Sequence, residues 1–142
     1  MHTIRRLVLG GGALLSLAML ASPVAAATTG EIHVQKTCPT FTGQVGGICT
    51  VTVSDAGPIP VGTVATYYGP TFSPYLDSVV LLTTPAGDVA SGRCVLDFET
   101  NRGACLFQSG SGALAGIQAV IAITDHPDTG ITDWDGTYWL GD

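Results

Sequence analysis

The chain has 142 residues, of which only five are Lys or Arg and eleven are Asp or Glu. Past residue 27 the basic side chains reduce to Lys36, Arg93 and Arg102 while all eleven carboxylates remain, a formal balance of 3 − 11 = −8 with histidine neutral. A field of that sign repels phosphate backbones and anionic headgroups, so neither a nucleic acid nor an anionic membrane surface is an expected partner.

The first 27 residues read as a secretory signal peptide. Arg5 and Arg6 give the positive start, Leu7 to Leu20 the apolar run, and Ala21–Ala27 the small-residue end, with cleavage expected after Ala27 or, second, after Ala26. The paired arginines also leave a twin-arginine signal open, although Ile4 stands where such signals usually carry Ser or Thr. Later apolar runs are all interrupted by charges or turn residues within a few positions, so none replaces this one as a membrane span. The expected product is a soluble, secreted protein of residues 28–142, one domain with a small core that benefits from covalent help.

From residue 28 the chain alternates β-rich runs with Gly, Pro and Asn punctuation. Glu31–Lys36 alternates sides, Ile32 and Val34 on one face, Glu31, His33 and Gln35 on the other, and is the first expected strand. Ile48–Ser54 is the second, nearly all β-branched. The Asp55–Pro60 segment cannot continue a ladder, because its prolines lack donors. Gly62–Tyr68 gives a third strand, the loop Gly69–Pro74 follows, and Tyr75–Thr84 gives a fourth. After the turn Pro85–Asp88 come Val89–Phe98, Arg102–Gln108, Leu114–Asp125 and Ile131–Leu140. Eight strands at these spacings predict an all-β fold.

Gly110, Gly112 and Gly116 superficially suit a dinucleotide loop opening a helix. However, Ile117, Val120, Ile121 and Ile123 favour a strand, and no βα unit follows to complete a nucleotide crevice. A bend between two strands is the expectation, and no cofactor is expected. The strand after it is apolar on both faces, with Ile117, Ala119, Ile121 and Ile123 on one side and Val120 and Ala122 on the other. Since antiparallel strands usually wet one face, the outer one is expected to be covered by a loop or, as the favoured reading, by a neighbouring subunit.

All four cysteines lie beyond residue 27. They allow three disulfide connectivities, and the equal spacing of Cys38 to Cys49 and Cys94 to Cys105, each enclosing turn-rich sequence, favours two hairpin staples. No spacing suits zinc, and no metal is expected.

The stretch GRCVLDFETNRGACLFQSGSGALAGIQAVIAIT followed by TDWDGTYWL resembles bacterial secreted members of the allene oxide cyclase-like and dirigent-like barrel superfamily. Ser109–Gly116 carries the glycine-rich bend and Trp134–Tyr138 the closing strand, and the likeness extends loosely over residues 36–140. The resemblance implies an eight-stranded antiparallel β-barrel with an apolar cavity, often assembled as trimers. Its motifs are structural glycines and aromatics, and no motif places a catalytic residue of the plant enzymes on this chain.

Tyr67, Tyr68, Tyr75, Trp134 and Trp139 are the candidate ligand-binding residues, since some aromatics on alternating strands must face a cavity where they could stack on a planar apolar ligand; the alternative is that they fill the core or seat a subunit interface. Asp77 and Asp97 lie within strands, where an inward carboxylate could act as acid or base. Asp125, His126, Asp128, Asp133 and Asp135 form an acidic stretch that lacks the ligand spacing of a calcium loop and reads as a solvated hairpin. The leading expectation is a non-enzymatic binder of a small apolar or aromatic molecule. A cofactor-free isomerase or cyclase and an extracellular structural or interaction protein are the two alternatives.

Overall fold

The structure, a computed structural model, describes residues 26–39, 45–69, 71–72 and 74–141. The signal-peptide assignment falls almost entirely outside the described residues, as do positions 40–44 of the expected turn between Cys38 and Cys49. Among the described residues there are nine strands: β1 (Thr28–Thr37), β2 (Gly47–Ser54), β3 (Val64–Tyr67), β4 (Thr71–Phe72), β5 (Tyr75–Thr83), β6 (Val89–Asp97), β7 (Arg102–Gly110), β8 (Ile117–His126) and β9 (Ile131–Leu140). Every pairing is antiparallel. The sheet runs β3-β2-β1-β9-β8-β7-β6-β5, and β3 then pairs with β5 to close an eight-stranded barrel, leaving the two-residue β4 as an appendage of β5. Among the described residues closure leaves no long strand edge unpaired. Among the described residues no helix is long and apolar enough to cross a membrane.

Strict alternation builds the interior. Ile32 and Val34 of β1, Val80 and Leu82 of β5, Phe107 of β7, Ile117, Ile121 and Ile123 of β8 and Trp134 of β9 are buried. Phe107 and Trp134 meet at a centroid distance of 5.9 Å. Room for Phe107 comes from Gly92 opposite it, where an added Cβ would lie 2.5 Å from the ring. Both disulfides form as the spacing predicts. Cys94 and Cys105 are register partners on β6 and β7, and Cys38–Cys49 ties the end of β1 to β2. All but Cys38 are fully buried, so the staples are also core.

The expected strand at Leu114–Asp125 is shortened at its start. Gly112 and Gly116 adopt φ of +60° and +67°, which ends β7's ladder in a 3-10 turn, Gly112–Leu114, before β8 begins at Ile117. Asp88 anchors that turn by accepting a hydrogen bond from the Ala113 N–H at 3.0 Å. Leu114 is thereby driven into one end of the barrel, where Ile59 from the β2–β3 loop is likewise fully buried. Ser54 holds that loop, its Oγ donating to the Ile59 carbonyl at 2.6 Å. The other end is built differently, and it holds the candidate site.

Candidate functional site

The alternation that buries Ile32 and Val34 continues to Lys36, which is only 3% exposed. Lys36 is the sole lysine in the chain. A register shift between Gln35 and Lys36 against β2 accommodates it at the point where β1 leaves the barrel. Its Nζ lies 5.5 Å from the Tyr67 ring centroid and 5.2 Å from that of Trp134, distances at which a ring face attracts a cation. Nζ also donates weakly to Cys38 Sγ, at 3.6 Å. Among the described residues no carboxylate comes within the 4 Å of a salt bridge to it.

Lys36 is one of the residues lining a cavity of about 170 Å³. Leu76 and Leu96 give it apolar walls with Phe98, Tyr67 and the Cys38–Cys49 pair. Asp125, Thr132 and the β8–β9 turn residues Pro127 and Gly130 form its polar side. Asp125 is held by Thr132, whose Oγ1 donates to Oδ1 at 2.8 Å. Burial pulls the Lys36 ammonium down to about 8, and the opposing attraction of Asp125 does not offset it. Burial, the larger cause, and the Asp125 charge together push the Tyr67 phenol well above its ordinary range. The arrangement can therefore hold a small apolar body against an amine and a phenol, with a carboxylate opposite.

Of the five aromatic candidates, two stand at this amine. Tyr67 lines the cavity, and Trp134 lies beside Lys36 in the core, where no acceptor among the described residues reaches its indole N–H. Tyr68 and Tyr75 are half exposed, and Trp139 lies on the outer wall in a shallow groove with Thr29, Gln118 and Val120. Asp77, considered as an interior acid or base, faces solvent. Arg93 Nε and Nη2 both donate to it at 2.7 Å, and this guanidinium holds its carboxyl below the usual range. Asp97 is engaged in the β6–β7 turn, accepting from the Glu99 N–H at 2.8 Å.

The acidic stretch divides between two sides of the wall. Asp125 belongs to the cavity, whereas Asp133 lies 2.8 Å from His126 Nε2 and accepts from Gln35 Nε2 at 3.0 Å. Asp135 lies 2.8 Å from His33 Nδ1, and this contact, with Glu31 adding to it, raises the imidazole pKa. Among the described residues no group of three or more His, Cys, Asp or Glu side chains could hold a metal ion.

No family model, curated protein or solved structure matches the chain. The site therefore rests on its own geometry. Lys36 was the residue that sequence reading passed over. The signal for it was present, since the face carrying Ile32 and Val34 reaches Lys36 two residues on.

The outer face of the doubly apolar strand is open in the single chain. Val120 is 62% exposed, and across the sheet its outward row runs through Leu106 and Arg93 to Val79. Val95 lies exposed in the adjoining row, next to Ala104 and Ala122.

Proposed function

We propose that this protein is an exported barrel that binds a small apolar or aromatic molecule at the Lys36 end, without metal or cofactor. One observation carries the reading: the chain's only lysine is buried with no carboxylate in salt-bridge contact among the described residues, and it is one of the residues lining a cavity. Burying an uncompensated cation costs several kcal/mol, on the order of 3 or more, and a site retained at that cost is better explained by a ligand than by packing. The volume sets the scale of that ligand, since an apolar cavity of about 150 Å³ accommodates benzene. An oxygen on the ligand would accept from Lys36 while its body rests on Leu76, Leu96 and Phe98.

Benzyl alcohol and benzamide are suitable test ligands. Chemical-shift changes confined to the residues of this end, on β1, β2, β3, β5, β6, β8, β9 and the β8–β9 turn, are expected, and Leu96→Trp, which fills the cavity, should abolish them while the rest of the spectrum persists. Undiminished binding to that variant, or shifts centred on Trp139, would overturn the site. A cofactor-free isomerase using the same cavity is a second reading, favoured by the presence of both an amine and a carboxylate on its walls.

Export belongs to the same proposal. Two disulfides fit an oxidising environment, and a mature protein beginning at Thr28 in culture medium is the expected product. The closed eight-stranded meander supports membership of the allene oxide cyclase-like and dirigent-like superfamily. The exposed row of Val79, Leu106 and Val120, broken by the ion-paired Arg93, supports a homo-oligomer such as a trimer, for which sedimentation velocity of the wild type and of Val120→Glu is the test; a monomeric wild type at high micromolar concentration rejects it.

A further inference from the structure

We propose that Lys36 captures small apolar aldehydes as a reversible imine inside the barrel-end cavity. Capture requires that this cavity be a ligand site, as proposed above, but adds a covalent step to it. Three features of the geometry support the step. The amine is the only one on a side chain, it is buried, and its residue lines the cavity together with Leu76, Leu96, Phe98, Tyr67 and Asp125. Its neighbours are two ring faces and a disulfide sulfur at 3.6 Å, and among the described residues no carboxylate is in salt-bridge contact with it. A desolvated lysine in apolar surroundings is the form of lysine that acts as a nucleophile toward carbonyl carbon.

The chemistry balances without any oxidant or reductant. The Nζ lone pair forms an N–C bond to the carbonyl carbon, and the C=O π pair moves to oxygen, which takes a proton. The second C–O bond then breaks. Both hydrogens of the neutral amine leave with that oxygen as water, and a C=N bond remains. Asp125 on β8, fixed by Thr132, is the carboxylate that lines the same cavity and can relay these protons; Tyr67 on β3 is the other titratable group facing it. Burial also supplies the reactive form. With the ammonium at about 8 rather than 10.5, the neutral fraction at pH 7 rises roughly 300-fold over that of an ordinary lysine. The apolar walls and the volume of about 170 Å³ select an uncharged aldehyde of about the size of benzaldehyde.

Because the side-chain amine is unique, the test is simple to read. The protein is incubated at pH 7 with benzaldehyde and cyanoborohydride, then analysed by intact mass and peptide mapping. One benzyl group on Lys36 is expected, at a rate that saturates with benzaldehyde and falls when benzyl alcohol is added; labelling of the α-amine should do neither. Leu96→Trp should suppress the Lys36 adduct and leave the α-amine unaffected. Benzylation of the α-amine alone, while benzyl alcohol still perturbs the cavity resonances, overturns capture and leaves the binding site standing. Absence of both binding and adduct rejects both proposals, and an unsaturable Lys36 adduct that persists in Leu96→Trp overturns capture in the cavity.

Discussion

Replacing Lys36 by Met should stabilise this protein at neutral pH, and the gain should shrink as the pH rises. The lysine's ordinary value is 10.5 and its folded value about 8. Between those limits the unfolded chain binds more protons than the folded one, so raising the pH favours folding. Below pH 8 the full penalty applies, about 2.5 pH units at ~1.36 kcal/mol each, or roughly 3 kcal/mol. Integrated from pH 7 to pH 9.5, the wild type recovers about 2 kcal/mol of it. Asp125 and Tyr67 face the same amine, and Tyr67, whose raised pKa opposes unfolding below its ordinary value near 10 and ceases to do so above its folded one, keeps the useful window below pH 10. Urea unfolding of wild type and Lys36→Met at both pH values isolates the effect, because other titrating groups such as His33 cancel in the difference. The stability gap in favour of the variant should narrow by about 2 kcal/mol between pH 7 and 9.5. A constant gap, or a variant less stable than wild type at pH 7, would refute the account of Lys36 as a buried, uncompensated cation.

The paired Cys94→Ala and Cys105→Ala substitutions should cost roughly 2–4 kcal/mol in the same urea assay, and a change under 1 kcal/mol would show that the β6–β7 hairpin needs no staple. Gly136→Ala should destabilise by about 1–3 kcal/mol, because its Cβ would lie 2.0 Å from the Val120 carbonyl oxygen; Gly57→Ala, with open space around it, should be neutral or slightly stabilising, and equal effects at the two positions would contradict the packing described. Arg93→Ala should let the Asp77 carboxyl titrate at a higher pH, followed by NMR, with little loss of stability because the pair is exposed; an unmoved titration would mean that the guanidinium does not set it.

Strand content was legible because Val, Ile and Thr recur with period two between turn residues, and the disulfides because equal spacings bracket two hairpins. Parity also explains the aromatics. Tyr67 and Tyr68 are neighbours and so face opposite sides, and Trp134 and Trp139, five apart on β9, do the same. Missing from that reading was which face is inner, a question settled by the apolar majority on each strand. The start of β8 misled because Leu114 is apolar and adjoins the strand, yet two glycines in the left-handed region turn it into the barrel end. Lys36 escaped notice for a different reason. A lysine at the end of a strand normally reaches water, and only closure of the barrel, which brings β1, β3, β5, β6 and the β8–β9 turn together, seals this one in.

Ile59 and Leu114 fill the end of the barrel opposite Lys36, and the interior between is packed by side chains such as Phe107, Ile121 and Trp134. A ligand of the kind proposed would therefore be confined to the Lys36 end, and a cavity of about 170 Å³ would hold one such molecule at a time.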